Sequence, residues 1–183
     1  FTLQYEMSYT NILNMLDMSG ITIRASERGE DEPIIMAGGP CAYNPEPLYD
    51  IVDFFEIGEG EEMMDDVLEV YAKHKANGKV NKKEFLREIS HIGGIYVPSL
   101  YDVSYNEDGT IREFTPKYED VPAKVKKRIV NNFDKVSFPD EMIVPYTDIV
   151  HDRVVLETAR GCTNGCRFCQ AGMIYRPVRE KTT

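Results

Sequence analysis

The sequence predicts an α/β fold built on an open parallel sheet with helices, and three observations predict it. Short apolar runs alternate with helically periodic segments along residues 1–78. The two most apolar runs, residues 33–37 and 51–57, end in glycines, at Gly38-Gly39 and at Gly58-Glu59-Gly60. The intervening segments repeat their apolar positions at a helical period rather than alternating them. Strands that alternate with helices pack as a parallel sheet, because each crossover helix carries the chain back to the same end of the sheet.

Taken in order, residues 1–5 form a short β-prone run. Ser8 or Thr10 can cap a helix whose apolar side is Ile12, Leu13, Met15, Leu16 and Met18, closed at Gly20. Residues 21–23 are a short strand candidate and residues 27–32 a charged loop. Residues 33–37 read as a buried strand running into Gly38-Gly39-Pro40, residues 45–49 as the start of a short helix, and residues 51–57 as another strand. Residues 62–74 form an amphipathic helix with Met63, Val67, Val70 and Tyr71 on one side, closed near Gly78. Open sheets of this kind bind ligands beyond the carboxyl ends of their strands. Gly38, Gly39, Gly58 and Glu59 fall at that edge and are the candidate cofactor-binding residues of the region. Glu59 and Glu61 have a plainer reading as well, since carboxylates in a first helical turn favour the helix dipole.

Residues 79–150 read as a linker. It holds a short helix over residues 82–90 and an extended stretch from Gly93-Gly94. A hairpin of residues 100–105 and 110–114 turns through Asn106-Glu107-Asp108-Gly109. A helix over residues 124–132 and a mostly extended connection marked by Pro139 and Pro145 complete it. Residues 151–183 open a further domain, with a strand at 154–158 leading into Gly161-Cys162.

The composition, 42% hydrophobic and 28% charged, supports an ordinary globular core. A net charge of -10 argues against a broad nucleic-acid footprint, which needs a basic face. Residues 124–128 hold four cations, and an exposed helix face accounts for them. No apolar run approaches the roughly 20 residues that span a bilayer. The chain opens on Phe1 without a basic, apolar leader, so residue 1 reads as a cut within a longer protein. Clustered cysteines in such a chain indicate metal binding in a reducing cytosol, hence a cytoplasmic protein.

The cluster is Cys162, Cys166 and Cys169, spaced C-x3-C-x2-C. A [4Fe–4S] cluster normally takes four thiolates. Three local cysteines leave one iron free to hold a substrate directly. Gly161 and Gly165 let the loop turn tightly, and its amides can donate to the cluster sulfides. A structural zinc site would require a fourth ligand at regular spacing, and His151, eleven residues before Cys162, supplies no common pattern. A bacterial ferredoxin run has x2 spacings and a fourth cysteine before proline, which this chain lacks. Cys41, after Pro40, reads as a buried or edge thiol without chemistry.

Residues 161–169, with aromatic Phe168 before the last cysteine, resemble the signature of the radical S-adenosylmethionine (SAM) superfamily. The resemblance implies a [4Fe–4S] cluster held by Cys162, Cys166 and Cys169, with SAM on the open iron and Phe168 beside its adenine. It implies reductive cleavage of SAM to methionine and a 5′-deoxyadenosyl radical, and a reductant such as flavodoxin or ferredoxin. The cluster loop would follow the first strand of a partial (β/α)6 barrel, here residues 154–158. Upstream, residues 33–40 and 53–61 are similar to the Rossmann-like (flavodoxin-like) cobalamin-binding domain that precedes many such barrels. Together with residues 1–16 and 172–180, they make the whole chain similar to one uncharacterised bacterial radical SAM family.

In that family's register the histidine that ligates cobalamin lies upstream of residue 1, and none of His74, His91 or His151 matches it. Cobalamin is therefore left open as a ligand, and His74 reads as an ordinary surface residue. Arg160, Arg167, Arg176 and Arg179 flank the motif, either as a cationic setting for an anionic cluster or as plain surface. The rival reading is a non-catalytic α/β module that binds a ligand or partner, its cysteine tail disordered or holding a structural metal. The substrate is not legible.

Overall fold

Ile12 and Leu16 lie one helical turn apart and both are buried, so residues Tyr9–Met18 fold as the first helix, α1, with its apolar side inward. The Tyr9 hydroxyl, from the same helix, donates to the Cys41 carbonyl at 2.9 Å. The structure is a computed structural model and describes residues 1–76, 78–139 and 141–182. The chain divides into two compact units, Phe1–Ile129 and Val130–Thr183.

The first unit is a mixed α/β assembly. Strand β1 (Met36–Ala37) runs parallel to β2 (Phe54–Glu56), with Met36 opposite Phe54 and Ala37 opposite Phe55. On the far side of β1, Thr2 bridges Gly38 in parallel sense, and the Leu3 N–H donates to the Gly38 carbonyl at 2.7 Å. Of the strand expected at residues 1–5, that bridge is the part that forms.

The third strand, β3 (Ile95–Tyr96), pairs antiparallel to β2, so the sheet is not wholly parallel as expected. Its connection gives the reason. Two helices, α2 (Gly60–Ala76) and α3 (Lys82–Ile89), follow β2 in succession. A single crossover helix returns the chain to the start of its strand, whereas a second helix brings it back to the strand's end. Ile95 accordingly lies opposite Glu56, and the Ile57 N–H donates to the Gly94 carbonyl at 2.8 Å.

Asn81 caps α3 by accepting from the N–H groups of Lys83 and Glu84. Phe85 of that helix is buried and meets Phe54, Tyr71 and His74 edge-on. His74 is therefore not an ordinary surface residue. Its ring packs on Phe85, and its Nε2 lies 2.8 Å from Glu88 Oε2, bridging α2 to α3.

Strands β4 (Tyr101–Tyr105) and β5 (Ile111–Pro116) form the expected hairpin, turning at Gly109, whose N–H donates to Asn106. Two other expectations in this unit fail for the same physical reason: the backbone groups are already committed. Residues 21–23 form no strand, since the carbonyls of Thr22 and Ile23 accept from the Arg28 guanidinium. Residues 124–132 form no helix. The Arg128 N–H donates to Ile57 at 2.9 Å, and its carbonyl accepts from Glu59 at 3.1 Å, which holds the segment extended.

In the second unit, β6 (Ala159–Arg160) pairs antiparallel with β7 (Arg179–Glu180), and the short helix α4 (Ala171–Ile174) lies between them in sequence. The strand expected at residues 154–158 is absent. A strand needs a ladder, and the pairing with β7 reaches back only to the Thr158 carbonyl, which accepts from Lys181, while Val154, Val155 and Leu156 lie exposed. Among the described residues, no helix is long and apolar enough to cross a membrane.

Candidate functional site

The three cysteines stand on the loop between β6 and α4. Gly161 has φ +103°, and a Cβ there would meet the Tyr175 carbonyl and the Val178 Cα, both at 2.9 Å. Only glycine lets the chain pass so close to the returning segment. Cys162 and Cys169 are half-buried, Cys166 is exposed, and all three thiols are free. The Cys169 N–H donates to the Cys166 carbonyl at 3.0 Å, closing a turn. Phe168, between them, is 92% exposed.

The loop carries the thiols without gathering them. Among the described residues no three His, Cys, Asp or Glu side chains converge as a metal site. The donor chemistry nevertheless fits an iron–sulfur cluster. Three unpaired, accessible thiols share one short loop, and the remaining cysteine, Cys41, is buried in the first unit. Burial pushes the Cys41 thiol pKa up and keeps it in the unreactive protonated form.

Both ends of the loop are held at one aromatic ring. Phe133 is buried, and Arg160 and Arg179 lie over it with Cζ at 5.0 and 5.3 Å from the centroid. Lys181 Nζ stands at 5.4 Å. Each cation is attracted to the ring quadrupole. Arg160 also makes a two-pronged bond to Glu157, at 2.8 and 2.9 Å, and Asp134 accepts from the Thr182 N–H at 2.7 Å. Phe133 had no place in the sequence reading, since a lone phenylalanine in a polar stretch carries no periodic signal.

At the carboxyl edge of the sheet, Gly38 and Gly39 follow β1, and Gly58 and Glu59 follow β2. The structure fills part of this edge with its own backbone. Gly58 has φ +122°, and a Cβ on it would lie 2.3 Å from the Arg128 carbonyl oxygen and 2.5 Å from its nitrogen. The Arg128 guanidinium reaches α2, at 3.2 Å from Glu62 and 3.1 Å from Asp66. The cations of residues 124–128 thus include a structural clasp, not only an exposed face.

Two buried carboxylates, one at each end of β2, escaped the sequence reading. Asp53 lies just before β2 and takes Arg28, Lys82 and the Ile35 N–H. Glu56 sits at the end of β2, its Cβ 3.5 Å from where a side chain on Gly38 would begin. Among the described residues its Oε1 has no hydrogen-bond partner, and burial pushes its pKa up. The signal for both was on the page, because two acids within the apolar run of residues 51–57 must be buried with partners or neutralised.

Comparison with known proteins fits this arrangement. The family described as radical SAM proteins, N-terminal, matches residues 1–98, and the chain belongs to it. An uncharacterised protein of Methanocaldococcus jannaschii is 28% identical over 184 residues, covering 97% of this chain and 31% of its own length. The chain therefore spans about a third of the curated relative it matches. No solved structure matches.

Proposed function

We propose that this chain is part of a radical SAM enzyme whose cluster is held by Cys162, Cys166 and Cys169. The observation that carries the reading is the run of three free thiols at C-x3-C-x2-C spacing, with Gly161 before the first and Gly165 before the second, in a chain of the radical SAM N-terminal family. When bound, the [4Fe–4S] cluster supplies the open iron that holds SAM and the electron that cleaves it to methionine and a 5′-deoxyadenosyl radical. The chain's own residues supply ligation and placement. The cysteines would provide three thiolates and Phe168 would lie beside the adenine, while the Phe133 anchor fixes where the loop leaves and returns. Exposed Val154, Val155 and Leu156 support the view that residues 151–183 begin a partial barrel and pack against further barrel strands.

In the same reading, residues 1–78 are a Rossmann-like, cobalamin-binding-like domain with Gly38, Gly39, Gly58 and Glu59 at its ligand edge, and residues 79–150 connect it to the barrel. No histidine here matches a cobalamin ligand in this reading, so cobalamin is an optional ligand. The reductant is a flavodoxin or ferredoxin of the cytoplasm. The substrate is not read from these 183 residues.

Anaerobic reconstitution with iron and sulfide tests the assignment. The expected product is brown, with broad visible absorbance and, on reduction, an EPR signal that changes when SAM is added. Replacing any one of the three cysteines by alanine should abolish it, whereas Cys41→Ala should not. A colourless protein that takes up one zinc would overturn the proposal.

A further inference from the structure

Side chains two apart on a strand share a face, so Tyr101, Val103 and Tyr105 of β4 point the same way. Phe114 of β5 lies directly opposite Val103 and joins that face. Tyr96 of β3 and Tyr49, at the end of the 3-10 turn Glu46–Leu48, stand across from it. Together they wall a cleft of about 440 Å³ within the first unit. Its volume is that of a small-molecule site, and neither the cysteine loop nor the glycine edge takes part in it.

The rings divide into two sets. Tyr96, Tyr101 and Phe114 lean on one another, with Tyr101 and Phe114 stacked at 5.1 Å. Tyr49 and Tyr105 are more than half exposed and also line the cleft. The charges are sorted as well. Asp50 is engaged by Arg24, and Asp53 by Arg28 and Lys82. Lys117 donates to the Ser99 carbonyl at 2.9 Å. Glu46 remains: it accepts from the Tyr96 hydroxyl at 2.7 Å and has no ion-pair partner among the described residues.

An anion would meet Glu46 and Asp50, and a neutral ring would leave the Glu46 carboxylate without a counter-ion. A cation gains on both counts, from the π faces and from the carboxylate. The net charge of -10 further raises the local concentration of cations. A guanidinium suits the site better than an ammonium, because it is planar, stacks on tyrosine and presents a fork to a carboxylate.

We propose that this cleft binds a guanidinium-bearing small molecule or side chain, with its charge on Glu46 and its plane against Tyr49 and Tyr105. The proposal does not depend on the iron–sulfur reading, since it concerns the first unit and is tested without iron or SAM. The test is titration of the chain with agmatine at low ionic strength, followed by calorimetry and by tyrosine ring resonances in NMR. Saturable binding is expected, weakened about five- to tenfold by Glu46→Gln and by Tyr105→Ala, and weakened again by added salt. Both variants lie at exposed positions, and an unchanged far-UV dichroism spectrum and thermal midpoint show that each is folded. Adenosine binding as tightly as agmatine, a Glu46→Gln variant with unaltered affinity, or no saturation at millimolar probe would each overturn it.

Discussion

The guanidinium of Arg28 meets the carboxylate of Asp53 at 2.6 Å, with both side chains withdrawn from solvent. Arg28 spends its other donors on the carbonyls of Thr22, Ile23 and Ile51, and Asp53 also accepts from the Ile35 N–H at 2.7 Å. The pair therefore ties the loop after α1 to the start of β2 and to the approach to β1. Desolvating two charges is expensive, and the arrangement stands because nearly every polar atom is answered.

Removing one partner exposes that expense. Arg28→Met leaves Asp53 buried with Lys82 as its one cation and the Ile35 N–H as its one backbone donor, and should lower stability by about 3–5 kcal/mol in urea denaturation. The double variant Arg28→Met with Asp53→Leu should recover a large part of the loss. A single variant within about 1 kcal/mol of the parent would show that the pair is not the anchor described.

Glu56 gives the chain a pH dependence of defined sign. Burial raises its folded pKa above the unfolded value, so the folded chain holds this proton to higher pH than the unfolded chain does. Its contribution favours folding below the ordinary carboxylate pKa, near 4.3, and is lost as pH rises through the raised one. Glu56→Gln should remove that slope. Its stability relative to the parent should rise between pH 4 and pH 8, about one pKa of shift corresponding to about 1.4 kcal/mol. Parallel stability curves for the two proteins would contradict the assignment.

Gly58→Ala should be among the costliest small substitutions in the first unit. The new methyl would lie on the Arg128 backbone, at a φ that L-residues rarely adopt. A loss of at least about 2 kcal/mol is expected, with faster amide exchange at Glu59 and Arg128, whose N–H groups donate to the Arg128 and Ile57 carbonyls and close this edge.

Phe133→Leu separates ring electrostatics from burial in the second unit. Leucine keeps the apolar contact but offers no quadrupole to Arg160, Arg179 and Lys181, so a loss of about 1–2 kcal/mol is expected. Amide exchange at Lys181, which donates to Thr158, should accelerate while the first unit is unaffected.

What could be read in the sequence followed periodicity and punctuation. The helices at Ile12–Leu16 and Met63–Val67, the glycine-terminated strands at Ala37 and Phe55, and the turn at Gly109 each carry a local signal, and each stands where expected. What could not be read depended on where backbone groups found partners across distance. Residues 124–132 look helical in isolation, yet Arg128 is held extended by Ile57 and Glu59, some seventy residues earlier. The antiparallel sense of β3 follows from a second helix after β2, whose consequence for direction is topological rather than local. The cysteine motif was legible as chemistry from its spacing alone. The Phe133 anchor was not, because its three cations are scattered over residues 160–181 and converge only in the fold.

The run of rings from Phe55 through Tyr96 and Tyr101 to Phe114 crosses from the sheet into the hairpin with neighbouring centroids 5.1–6.1 Å apart. The chain has no tryptophan and eleven tyrosines, so nothing brighter masks it. Rings this close couple their electronic transitions, and the sign and size of that coupling depend on their mutual angle. The protein consequently carries its own optical gauge of hairpin docking. The near-UV dichroism of Tyr96 and Tyr101 should collapse when β4 and β5 lift from the sheet, before the helices melt and without any added dye.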